Sequence, residues 1–288
     1  MGIGMFLLNF SSPLNFQPFI LISVITSLAL IPILLTKKKP PTFKKIQAMT
    51  LKNLYHASPF GMVSSFFYGT IQSALFTLLA VYATSMNFTI LEISIVTFLL
   101  AISGSVAQFP VGKISDMYDR RRVIIFSTFA SSIFAILSIM VSGQMYLPDG
   151  LATSKTWFYI FFILFSFCSL PMFSLILAHT NDYIPKEKFV AAGAGLQFLF
   201  GLGAMSGPFL CSIFMDLVGS NGFFIFLAFF HSIIGFFGIY RMKIRKTVDN
   251  PDSQFVAMPQ TITPAGIELN PITEPIDEPI KDQNKSMG

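Results

Sequence analysis

Charge is what this chain has least of. Asp, Glu, Lys and Arg make up 11% of its 288 residues, less than half of the roughly 25% usual in soluble domains. It therefore lacks the polar surface that a globule in water requires. Tryptophan occurs once, cysteine twice and histidine three times. Cys168 and Cys211 fall inside apolar runs, where a thiol behaves as a small apolar side chain, so no structural disulfide is expected. His56, His179 and His231 belong to separate elements with no Cys or carboxylate at ligand spacing, which leaves no metal motif. No cofactor and no nucleic-acid partner are expected.

Apolar residues are abundant: they make up 53% of the chain, and phenylalanine alone contributes 34 residues. They gather into runs over Phe16 to Leu35, Pro59 to Ala83, Ile93 to Val111, Val123 to Gly143, Thr156 to His179, Val190 to Met215 and Phe223 to Tyr240. Each run can cross a hydrocarbon core of about 30 Å as a helix, and lipid cannot satisfy the backbone of anything looser. Period-two alternation is missing, and the runs are about twice the length of a barrel strand. The expected fold is all-α, a polytopic membrane helix bundle with about seven transmembrane helices in contact with a lipid bilayer.

Basic residues next to spans tend to stay on the cytoplasmic side, and here they alternate by loop. One set of connections holds Lys37, Lys38, Lys39, Lys44, Lys45 and Lys52, then Lys113 and Arg120 to Arg122, then Lys186 and Lys188. After the last span come Arg241, Lys243, Arg245 and Lys246. The opposite loops between spans hold only Lys155. This places the segment before Phe16 outside and the C-terminus in the cytoplasm, in a multi-pass protein of a cell (inner) membrane.

The first 15 residues lack a basic n-region, and the run that follows exceeds a signal core, so no cleavable signal is read. Met1 to Leu8 reads instead as the stub of an earlier helix. Residues 36–58 combine the Lys cluster with Pro40-Pro41 and read either as a linker between bundles or as a basic loop that only sets topology. Residues 247–288 hold six prolines and an acidic excess, a composition expected to form a disordered cytoplasmic tail.

The most informative segment is the charged turn Gly112-Lys113-Ile114-Ser115-Asp116-Met117-Tyr118-Asp119-Arg120-Arg121-Arg122. A glycine permits a tight helix exit, Asp116 is an acceptor for a helix N-terminus or an arginine, and the arginines are donors at the membrane face. The order resembles the signature turn of the major facilitator superfamily: Gly, any, Leu, small, Asp, basic, aromatic, Gly, Arg, basic, basic. Gly112, Ser115, Asp116, Tyr118, Arg120, Arg121 and Arg122 fit; Ile114, Met117 and Asp119 depart from it. Two further features agree. Gly203 to Gly207-Pro208 resembles a Gly-x-x-x-Gly-Pro element of some facilitators, although its spacing also suits any tight helix pair. Ala178-His179-Thr180-Asn181-Asp182 is similar to a helix ending in YcaD-like bacterial facilitators.

The resemblance implies transmembrane transport of a small solute by alternating access, with the signature-turn Asp latching the end of a helix from the opposite half. It assigns residues 1–35 to the end of an N-terminal bundle, 36–58 to the central linker and 59–246 to a C-terminal six-helix bundle, a major facilitator half-fold. The chain is then expected to be a fragment. Its cavity would be completed by a missing N-terminal bundle, a separately encoded partner or self-association.

By the same analogy Ser65, Tyr68 and Gln72 on the seventh helix, and Ser166 and Ser169 on the tenth, are candidate cavity-lining residues. Their spacings put each set on one face, and bonding between helices is the alternative. Pro171 is placed to break the tenth helix near mid-membrane. His231 is either a proton relay or a neutral side chain bonded to a neighbouring helix, and Glu92 is expected to be solvated. The rival class is a non-transport membrane protein, either an enzyme or a self-assembling interaction protein. Ser105 with His179 or His231 carries no enzyme signature, and no span holds a lysine for a retinal Schiff base.

Overall fold

The computed structural model describes residues 16–34, 49–144 and 151–245. Its helices are α1 (Gln17–Leu34), α2 (Leu51–Ala57), α3 (Pro59–Ser85), α4 (Ile90–Met117), α5 (Arg120–Gln144), α6 (Leu151–Ser169), α7 (Met172–Asn181), α8 (Phe189–Val218) and α9 (Gly222–Ile244), with a 3-10 turn at Lys186–Lys188. Six spans are long and apolar enough to cross a membrane: α3, α4, α5, the α6–α7 pair, α8 and α9. The run Phe16 to Leu35 also forms a helix, α1, whose described apolar side chains are exposed. The linker at 36–48 and the tail at 247–288 lie outside the described residues.

Local chemistry sets the helix ends. Ser58 caps α3 by accepting from the Gly61 N–H, with Pro59 at the first helical position, where no N–H is needed. Thr89 and Glu92 form a capping box on α4. Asn87, at φ 59°, and Gly219, at φ 76°, take left-handed conformations in the turns before α4 and α9.

The α6–α7 span breaks at Leu170 and Pro171, as the missing proline N–H predicts. Pro110 and Pro208 lie within α4 and α8, which nevertheless continue through them.

The tightest packing joins α3 to α8. A Cβ on Gly69 would strike the Phe200 carbonyl, one on Gly203 the Phe66 carbonyl, and one on Gly207 the Thr70 carbonyl and the Ser73 hydroxyl. Glycines thus bring two backbones together where lipid offers no hydrophobic drive for association. Thr70 Oγ1 donates across the seam to the Gly203 carbonyl at 3.1 Å.

Phenylalanine serves two surfaces. Phe158, Phe162, Phe165, Phe223 and Phe224 are buried with Tyr82, and Tyr82 lies 5.2 Å from Phe223 and 5.0 Å from Phe224 between ring centroids. Phe109 and Phe126, 82% and 73% exposed, lie on the outer surface of the bundle.

A candidate gating site at one end of the bundle

The charged turn is more helical than its residues suggest. Gly112 does not mark the exit from α4: it is buried inside that helix, which continues to Met117. Ser115 donates back to the Gly112 carbonyl at 2.8 Å, satisfying its hydroxyl without interrupting the helix. Only Tyr118 and Asp119 separate α4 from α5. Asp119, which departs from the signature glycine, has a use of its own. Its Oδ1 accepts from the Arg121 backbone N–H at 3.0 Å, capping α5. The same carboxylate receives the Arg121 guanidinium at 3.2 Å and 2.9 Å.

Arg120 points the other way. It is 6% exposed and forks between two carboxylates, donating to Asp116 Oδ1 at 2.8 Å and to Asp182 Oδ1 at 2.7 Å. It also donates to the Ala178 carbonyl at 3.0 Å, one of the last carbonyls of α7. A guanidinium suits this place because its planar fork can serve several acceptors at once. Asp116 is the open member of the set, with 38% of its side chain exposed against 13% for Asp182.

Arg121 extends the network to the last helix. It donates to the Arg245 carbonyl at 2.6 Å, and Arg245 donates to the Ala57 carbonyl at 2.6 Å. The Arg245 guanidinium lies 4.3 Å from the centre of the Tyr183 ring, a cation–π contact. Burial pushes the Tyr183 phenol above its ordinary range, against the opposing pull of the Arg121 and Arg245 cations. His179 lies between Phe60 and Tyr183, at 5.3 Å and 5.0 Å. The start of α3, the α4–α5 turn, the end of α7 and the end of α9 therefore meet in one polar knot. Arg122 stays exposed beside it.

The candidate cavity residues divide. Ser65 donates to the Leu196 carbonyl at 2.8 Å and Tyr68 to the Leu170 carbonyl at 3.1 Å. Ser166 donates to the Phe162 carbonyl at 2.7 Å, and Ser169 lies 2.9 Å from His231 Nε2. His231 Nδ1 is 2.7 Å from the Leu227 carbonyl. A carbonyl only accepts, so Nδ1 carries a proton; in the neutral ring Nε2 then accepts from Ser169. His231 is thus a brace that ties α9 to the end of α6 beside the α6–α7 break. Gln72 differs: it is 4% exposed, and neither amide atom has a hydrogen-bond partner among the described residues.

At the opposite end, Glu92 is not simply solvated. Lys155 Nζ reaches its Oε1 at 2.6 Å, with both side chains about four-fifths buried (22% and 21% exposed). The sequence did not reveal this pair, nor the roles of Asp182, Asp119 and Arg245. All but Asp119, whose partner Arg121 is two residues away, gain their partners through the fold.

Comparison with known proteins bears on the turn and the bundle together. Residues 61–272 match the Major Facilitator Superfamily. The chain is 25% identical to the uncharacterized MFS-type transporter YfkF of Bacillus subtilis, over 62% of this chain and 44% of that protein. It is 24% identical to the uncharacterized MFS-type transporter YE1530 of Yersinia enterocolitica, over 66% of this chain and 44% of that protein. Against the uncharacterized MFS-type transporter MJ1560 of Methanocaldococcus jannaschii it is 27% identical, over 62% and 42%. The chain thus spans less than half the length of these curated relatives. No solved structure gives a significant match. Six apolar spans and a signature turn tied by arginines are accounted for by one ancestry, and this multi-pass membrane protein belongs to the major facilitator superfamily.

Proposed function

We propose that the chain forms the C-terminal wall of a secondary transporter that moves a small solute by alternating access, with the knot at the α4–α5 turn as its cytoplasmic latch. Family membership supports the transport class. The observation that carries the latch is the Arg120 fork, a buried cation holding one enclosed and one open carboxylate. A helix end from a first bundle docks its N–H groups on the open edge of Asp116 in one access state and leaves it in the other. That first bundle comes from an upstream segment, a separately encoded chain or a second copy. The chain sits in a cell (inner) membrane with its basic end toward the cytoplasm, so the C-terminus lies inside.

Gln72 is the side chain we assign to solute. It sits at the middle of α3, where a buried amide without a partner costs stability unless something else supplies its hydrogen bonds.

Cells expressing the chain from its own locus test the reading when their small-molecule gradients are compared with those of a deletion and of Asp116→Asn at equal membrane abundance. We expect a solute whose gradient depends on the chain and relaxes in the variant. A chain-dependent gradient that is unchanged by Asp116→Asn refutes the latch. No chain-dependent gradient at all refutes transport.

A further inference from the structure

Between α5 and α9, at the basic end, an open groove of about 660 Å³ runs along the outer surface of the bundle. Its size falls in the roughly 300–1,000 Å³ range of ordinary ligand pockets. Ile125, Phe126 and Phe129 form one wall, and Ile239 and Met242 the other. Arg122 and Lys243 stand at its mouth. We propose that this groove seats one anionic phospholipid, with its phosphate between Arg122 and Lys243 and an acyl chain along the two phenyl rings.

The order of the lining residues argues for a lipid. Positions 122, 125, 126 and 129 fall at i, i+3, i+4 and i+7 on α5, one stripe about 10 Å long at 1.5 Å per residue. On α9 the direction reverses, so Lys243 is level with the mouth and Ile239 lies a turn deeper. Charge followed by hydrocarbon with increasing depth is also the order of a phospholipid from phosphate to chain. Both helices are long and apolar enough to span a membrane, so a groove along their outer surface lies at the depth of lipid.

Charge argues for an anionic headgroup. The nearby carboxylates are already engaged: Asp119 holds Arg121, and Asp116 and Asp182 hold Arg120. Neither Arg122 nor Lys243 forms an ion pair among the described residues. A zwitterionic lipid brings its own ammonium to compete for the phosphate. A second copy lying parallel would set its basic end against this one, and a soluble partner could not reach Phe129 inside the span.

The test titrates the purified full chain in detergent with phosphatidylglycerol or phosphatidylcholine and counts bound lipid by native mass spectrometry. Each cation near a membrane surface is worth about fivefold in affinity for an anionic lipid. Arg122→Gln with Lys243→Gln is therefore expected to weaken phosphatidylglycerol binding by about 25-fold. Ile239→Trp fills the groove without touching charge and is expected to weaken it at least about tenfold, a readout that survives if the paired variant fails to fold. Lys188→Gln, at the same end but outside the groove, is expected to change it less than about twofold. The proposal is overturned if phosphatidylcholine binds as tightly, if Ile239→Trp binds like the parent, or if Lys188→Gln costs as much as the paired variant. Recovery of a dimer that excludes lipid from the groove overturns it as well.

Discussion

Arg120 and Asp182 lie 62 residues apart in the chain and meet at 2.7 Å, joining the start of α5 to the end of α7 behind the signature turn. Removing one partner of a buried pair leaves the other charged and uncompensated, at a cost of about 3–5 kcal/mol. Arg120→Ala withdraws the guanidinium from two carboxylates, one of them largely enclosed, and is expected to approach the lower end of that range, read as a lower thermal-unfolding midpoint in detergent. Asp182→Asn leaves Asp116 on the guanidinium and should cost less, about 1–3 kcal/mol for one charged hydrogen bond. Equal losses in the two variants would mean that the fork does not share its charge.

Much of the bundle was legible in the sequence because a membrane span needs a long apolar run and little else. The break at Pro171 was legible for the same local reason, a missing N–H. The polar knot was not: Asp182 and Arg245 are ordinary loop residues until the fold brings them to Arg120 and Arg121, and Asp119, whose partner Arg121 is two residues away, reads in the sequence only as a departure from the signature glycine. The hydroxyl-bearing candidates on α3 and α6 are all buried. Facing alone could not reveal that Ser65 and Tyr68 are satisfied by carbonyls of neighbouring helices while Gln72 is not.

Gly203 and Gly201 lie two residues apart on α8 and should respond oppositely to alanine. At Gly203 the added methyl meets backbone, the Phe66 carbonyl, whereas at Gly201 nothing stands within 4 Å. Gly203→Ala is expected to destabilise by about 1–3 kcal/mol through overpacking. Gly201→Ala should be neutral or gain up to about 1 kcal/mol from helix propensity. Unfolding midpoints of the two variants, measured side by side, check the α3–α8 seam.

Ser169 and His231 make a buried hydrogen bond of 2.9 Å, so Ser169→Ala leaves Nε2 without that partner at a cost of about 1–3 kcal/mol. Replacing both groups, with Ser169→Ala and His231→Phe together, should recover part of that loss. A double-mutant cycle with no coupling would contradict the brace and reopen a proton-carrying role for His231.

Asp216 and Glu187 are exposed near opposite ends of α8, which makes them probes of orientation. With Cys168 and Cys211 replaced by alanine, Asp216→Cys is expected to react with a membrane-impermeant maleimide on intact cells, and Glu187→Cys only after permeabilisation. The reverse pattern would invert the topology and place the latch on the outer face.

Gln72→Leu separates a structural amide from one kept for solute. Leucine is close to glutamine in size and leaves no polar atom to satisfy, so relief of the buried amide should raise stability by about 1 kcal/mol. Loss of a solute hydrogen bond worth about 1.4 kcal/mol should, in the same protein, weaken apparent solute affinity about tenfold. The two readouts move in opposite directions only if the amide is held in reserve for a ligand. If the variant loses stability, Gln72 bonds within the bundle, and solute contact must be sought on other residues of α3, with the buried Ser64 hydroxyl, also without a partner among the described residues, the next to test.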